Sequence, residues 1–150
     1  MLNPDFKELL RLFNDHNVEY LVVGGYALSA HGHPRYTGDI DLWIGSDPVN
    51  SSRVLAALDE FGFGTLGLKE EDFRTPQRVI QLGYPPARID LMTDIDGVVF
   101  SECWPRRMEI VMDGVAIPVL GREDLMSNKK ASGRLQDLAD LEKLGLPEKP

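Results

Sequence analysis

The stretch D-I-D-L-W-I, residues 39–44, constrains this chain more than any other. Alternation with a period of two places Asp39 and Asp41 on one face of a strand, roughly 7 Å apart along the chain, with Ile40 and Leu42 on the other. One face must then be buried while the other holds two like charges. The pattern returns at A-R-I-D-L-M, residues 87–92, where Ile89 and Leu91 take one side and Asp90 the other. Like charges held close destabilise a fold unless a cation sits between them. Three acids rooted on buried strands form a rigid oxygen-ligand set, which hard cations such as Mg²⁺ require. A bare D-x-D equally suits the solvent face of an antiparallel strand. Its surroundings decide between the two.

Upstream, the apolar run Tyr20 to Val23 ends in Gly24-Gly25, and Y-A-L-S-A-H-G turns as a short helix before Gly32 and Pro34. A strand that ends in two glycines lets backbone N–H groups approach an anion with no Cβ in the way, and the helix adds its positive end. Residues 4–15 carry Phe6, Leu9, Leu10 and Phe13 at helical spacing, with Asn3 as N-cap before Pro4. Asp47-Pro48 opens a second amphipathic helix. Four strand-like runs follow: R-V-I-Q-L-G, A-R-I-D-L-M, M-E-I-V-M and V-A-I-P-V-L, with Asp113-Gly114 as a hairpin turn between the last two. The tail, residues about 122–145, reads as two helical pieces interrupted near Ser132-Gly133. This order predicts a mixed α/β (α+β) fold, with helices packed mainly on one face of a mixed sheet and the acids along its edge. A single domain over residues 1–150 is expected.

Composition narrows the class. With 43% hydrophobic and 27% charged residues, the composition is that of a globular protein and argues against disorder. A net charge of -8 argues against loose nucleic-acid binding. No run approaches the roughly 18 apolar residues of a membrane span, and the acidic, amphipathic start does not resemble a signal peptide. Cys103 is the only cysteine, so a disulfide within the chain is excluded and a reducing, cytoplasmic setting is the expectation.

The stretch G-G-Y-A-L-S-A-H-G-H-P-R-Y-T-G-D-I-D-L-W-I, with R-I-D-L-M downstream, resembles the nucleotidyltransferase superfamily that shares a fold with DNA polymerase β. Within it, R-Y-T-G-D-I-D-L-W-I, L-G-Y-P-P-A-R-I-D-L-M-T-D-I-D-G-V-V-F and K-K-A-S-G-R-L-Q-D-L-A-D-L-E-K-L are similar to small bacterial stand-alone domains related to toxin–antitoxin nucleotidyltransferases. The resemblance spans most of the chain. It implies transfer of a nucleoside monophosphate from an NTP to a hydroxyl acceptor with release of pyrophosphate. Gly24 and Gly25 match its phosphate-binding turn, Asp39 and Asp41 its two shared metal ligands, and Asp90 the third carboxylate, which helps deprotonate the acceptor. Two Mg²⁺ ions are implied, with Mn²⁺ as a substitute. The acceptor class stays open among a protein side chain, a tRNA end and a small hydroxylated molecule. The competing expectation is a non-catalytic binding or toxin–antitoxin subunit of the same fold, with a protein partner supplying what it lacks.

Arg35 and Thr37 lie just before the acidic pair, within reach of a phosphate oxygen or of Asp39; Arg35 reads equally as a solvated loop charge. Lys129 is either a triphosphate contact or one charge on an exposed helix face, and on an unbroken helix it would share that face with Gly133, Asp137 and Asp140. G-F-G-T-L-G at 62–67 satisfies G-x-G-x-x-G but follows a helix, so it reads as a C-cap and turns rather than a dinucleotide site. Asp94-Ile95-Asp96-Gly97 reads as a hairpin turn, His31 and His33 as loop residues, and Cys103 as packing.

Overall fold

A computed structural model describes residues 2–34 and 37–145. Its elements run α1 (Pro4–Asp15), β1 (Tyr20–Val23), α2 (Gly24–Ala30), β2 (Ile40–Ile44), α3 (Pro48–Leu58), β3 (Val79–Leu82), β4 (Ile89–Met92), α4 (Phe100–Cys103), β5 (Met108–Met112), β6 (Val115–Val119), α5 (Arg122–Ser132) and α6 (Leu135–Leu144). The strands form one mixed sheet in the order β3-β4-β2-β1-β6-β5. β2 is antiparallel to β1 and parallel to β4, so the two carboxylate-bearing strands run side by side in the same direction. Both lie inside the sheet. The acids therefore stand on interior strands, not along the sheet's edge as the sequence suggested.

Local chemistry explains the element ends. The Asn3 side chain accepts from the Asp5 and Phe6 N–H groups at 2.8 and 3.4 Å, and Pro4 pre-sets the first turn of α1. Asp47 caps α3 by accepting from Asn50 N–H at 2.9 Å. Between β5 and β6, Asp113 and Gly114 both adopt positive φ, at 52° and 79°, the geometry of the tight primed turn whose twist suits a hairpin. The tail breaks at Gly133, whose φ of 69° ends α5 before α6 begins. Residues 59–73, by contrast, form irregular helical turns that the apolar spacing did not reveal.

Register fixes which side chains share a face. Val22 pairs with Leu42 and with Val119, and Leu42 with Leu91, so these apolar residues line one side of the sheet. The α1 residues Phe6, Leu9, Leu10 and Phe13, all at most 1% exposed, belong to the core on that side, with Val54 and Leu58 of α3. Each such side chain contributes about 1.5–3 kcal/mol through burial. The opposite side carries Asp41, Trp43 and Asp90. Trp43 is buried there, edge-on to Phe100 of α4 with ring centroids 5.2 Å apart. The carboxylates are thus seated on a face that is dry at one end and open at the other.

Candidate active site

The parallel pairing of β2 with β4 sets Asp41 directly beside Asp90, and the antiparallel pairing of β1 sets Val23 on its other flank. Gly24 follows Val23 as the first residue of α2, with φ at 68°. A Cβ on Gly24 would overlap the Asp41 carboxylate. Glycine serves there for two reasons: the left-handed backbone and the space the carboxylate fills. Gly38 is confined in a similar way just before Asp39, since a side chain there would run into the Pro86 carbonyl of the β3–β4 connection. The loop ahead of Asp39 and the segment ahead of Asp90 are therefore pressed together.

Asp90 is 6% exposed and Asp39 and Asp41 are half-buried. Burial first, then the charges of Asp90 and Asp39, push the Asp41 carboxyl up to about 6, while Lys129 pulls weakly the other way. Arg88, two residues before Asp90 and so on the same face, forks onto it with Nε 2.7 Å from Oδ1 and Nη2 3.1 Å from Oδ2. Its Nη2 also reaches Asp39 Oδ2 at 3.2 Å, and its backbone N–H donates to Asp39 Oδ1 at 3.1 Å. The alternation that singled out Asp90 also put Arg88 on this face; its role went unread at the sequence level.

A cleft of about 390 Å³ opens beside Asp41, walled by Gly24, Asp94, Asp96, Lys129, Arg134 and Asp137 among others. The D-I-D-G segment is a loop joining β4 to α4, not the hairpin turn expected from its glycine, and it brings Asp94 and Asp96 to the cleft. Lys129 faces the cleft but is 5% exposed, and its ammonium lies 3.0 Å from Asp140 and 3.4 Å from Asp137. These partners meet it across the break at Gly133 rather than along one continuous helix. Arg134 donates to Asp137 at 2.7 Å. Burial works to raise the Asp137 carboxyl, but hydrogen bonds from Arg134 and Ser132 and the Lys129 charge outweigh it and hold it below its ordinary value.

The remaining expected site residues fall elsewhere. The Thr37 hydroxyl donates to the Asp39 carbonyl at 3.1 Å, and Thr37 lines an apolar pocket with Val22, Tyr26 and Ile40 rather than the cleft. Gly25 is buried within α2. Arg35 lies outside the described residues. His31 is buried, with Nε2 2.8 Å from the Leu120 carbonyl, so it ties α2 to the end of β6. Cys103 is fully buried, and burial followed by the Asp124 charge pushes its thiol up to about 11, far from a nucleophile's range.

Whether the acids suit a divalent ion turns on their chemistry. Three carboxylates of one kind, two of them on adjacent registered strands, with a raised carboxyl pKa and a guanidinium lodged among them, form a donor set short of positive charge. Among the described residues, no three acidic, histidine or cysteine side chains stand together as a ready metal cluster. Arg88 is in contact with both Asp39 and Asp90, so two of the three aspartates expected to form one ligand set are engaged by a guanidinium. The set fits a hard cation in ligand type and in charge.

Solved structures share this architecture. A Thermotoga maritima protein described as a nucleotidyltransferase superposes with a TM-score of 0.62 at 18% identity, covering 95% of this chain and 94% of its own. The lincosamide antibiotic adenylyltransferase LnuA, bound to lincomycin, gives 0.57 at 15% identity over 96% of each chain. ANT(2")-Ia, in complex with adenylyl-2"-tobramycin, gives 0.57 at 13% identity, over 93% of this chain and 84% of its own. At these identities the likeness shows the fold. A comparison with curated proteins finds no match. The family described as "nucleotidyltransferase of unknown function (DUF6036)" matches residues 2–149, nearly the whole length. The chain belongs to that family, and with it to the nucleotidyltransferase enzymes.

Proposed function

We propose that this chain moves a nucleoside monophosphate from an NTP to a hydroxyl acceptor at Asp39, Asp41 and Asp90. The observation that carries this reading is the parallel register of Asp41 with Asp90 beside the Gly24 turn. Asp39, Asp41 and Asp90 would hold two Mg²⁺ ions, or Mn²⁺ as a substitute, which would supply charge neutralisation for the triphosphate and the leaving pyrophosphate. Asp90 accepts the proton of the acceptor hydroxyl as its oxygen bonds to the α-phosphorus. The bond from that phosphorus to the bridging oxygen breaks, and pyrophosphate carries the electron pair away. Gly24 and Gly25 present backbone to the phosphates, and Lys129, whose ammonium is held between Asp137 and Asp140, is assigned to the triphosphate side of the opposite wall on its sequence position. Thr37 acts through the Asp39 main chain, and Arg35 is assigned to the phosphate side on its sequence position alone.

Of the acceptor classes, a small hydroxylated molecule is the best supported. Two proteins of this fold are described with lincomycin and with adenylyl-2"-tobramycin. The non-catalytic reading, a binding subunit of a toxin–antitoxin pair, draws on one observation: Arg88 already provides a cation to the carboxylates. Incubation of the chain with α-labelled NTPs and Mg²⁺, in the presence of fractionated extract, separates the two. Labelled product that disappears with Asp39→Asn/Asp41→Asn supports transfer. Nucleotide binding without product in every fraction supports the subunit.

A further inference from the structure

Arg88 contacts every carboxylate oxygen of two of the three acids. Asp90 Oδ1 and Oδ2 receive its Nε and Nη2, Asp39 Oδ2 lies against Nη2, and Asp39 Oδ1 accepts its backbone N–H. Ionised carboxylates only accept, and these are the same oxygens that a metal ion would need. The Arg88 side chain is 24% exposed and that of Asp90 9%, so the pairing is inward and geometrically specific rather than a loose surface contact. With all three acids ionised, one guanidinium still leaves two negative charges uncompensated.

We propose that Arg88 is a resident counter-cation that holds Asp39 and Asp90 together in the metal-free protein and is displaced when a divalent ion enters. The inference rests on the reading of these acids as a metal site. Two consequences follow from the geometry. Arg88 competes directly with metal, so it weakens metal binding to the empty protein. A displaced guanidinium needs another anionic fork, and the oxygens of a triphosphate match it as well as a carboxylate does. Metal entry is thereby coupled to nucleotide arrival, and Arg88 serves as a positioning residue that discourages either from settling alone.

Mn²⁺ titration of the full chain by calorimetry and electron paramagnetic resonance tests this, with and without a non-hydrolysable α,β-methylene ATP. Arg88→Met should bind Mn²⁺ without nucleotide about tenfold or more tightly than the wild type. The analogue should strengthen Mn²⁺ binding more in the wild type than in Arg88→Met. In EDTA the variant should melt below the wild type, because its carboxylates have lost their counter-charge, and Mn²⁺ should close that gap. Equal or weaker Mn²⁺ binding by Arg88→Met, with the wild type binding normally, overturns the displacement idea and leaves the metal-site reading standing. Binding by neither chain, even with the analogue, overturns both. Should Arg88→Met fail to fold with and without Mn²⁺, Arg88→Lys takes its place, since a point charge cannot fork across both acids. Tighter Mn²⁺ binding by that variant supports the proposal, and equal or weaker binding overturns it.

Discussion

Asp41 and Asp137 line the same cleft, and burial works to raise both carboxyls, yet one is pushed up to about 6 while the other is held below its ordinary value. The difference lies in the company each keeps. Asp137 holds Arg134 and shares Lys129 with Asp140, two cations for two acids. Asp41 shares its corner with Asp39 and Asp90, and the nearest guanidinium is engaged by those two. One wall is electrically complete and holds α5 to α6. The other is short of positive charge, and there Asp41 holds its proton to a higher pH.

The sharpest way to break this contrast is through activity. Asp41→Asn or Asp90→Asn should lower nucleotidyl transfer by about 10²–10³-fold or more, with a cooperative melt retained. Asp137→Asn should instead cost melting temperature first. A loss of transfer in Asp137→Asn with unchanged stability would dissolve the distinction. Next comes Lys129→Met, which removes the buried ammonium from between Asp140 and Asp137 and should cost about 3–5 kcal/mol in denaturant titration.

The contrast sharpens with pH. Asp41 is raised in the folded chain from an ordinary 3.8 to about 6, so its favourable contribution is complete below the lower value and is lost as pH rises through the higher. Metal-free protein should lose at most about 3 kcal/mol from this group over that window, and Asp41→Asn should lack that slope in melts taken at pH 4 to 7. Gly24→Ala tests the turn itself: a positive φ and the overlap with Asp41 should cost about 1–2 kcal/mol and move the Asp41 carboxyl resonance. The smallest effect belongs to Arg134→Ala. Its side chain is 78% exposed, and the change should cost less than about 1 kcal/mol.

How much of this was legible beforehand follows from the range of each interaction. Alternation is local, so the shared face of Asp39 and Asp41, and the matching face of Asp90, could be read from two six-residue runs. Caps and tight turns are local too, and Asn3, Asp47 and Asp113-Gly114 behave as their neighbours dictate. What brings strand to strand is not local. The tail's helical spacing groups Lys129 with Asp137 and Asp140 on one unbroken face, whereas their actual contact depends on how α6 folds back after Gly133. His31 against Leu120 and Asp94 at the cleft are products of the same distant packing. Arg88 is the exception. Its period-two relation to Asp90 stood in the sequence, but a basic residue beside an acid is so common on strands that only the guanidinium's contact with both Asp39 and Asp90 gives it meaning.

The side-by-side, same-direction pairing of β2 and β4 has a genetic corollary. Asp41 meets Asp90 because residues 40–43 and 89–92 are matched one to one. Loss or gain of a single codon inside either run would flip every following side chain through the sheet, drawing Asp90 into the oily layer and turning Leu91 toward water. Point replacements in these strands damage one group at a time, whereas a one-codon indel dismantles the whole carboxylate corner. Descendants of this gene should therefore drift in length around residues 59–77, while the two short ladders keep their spacing to the residue.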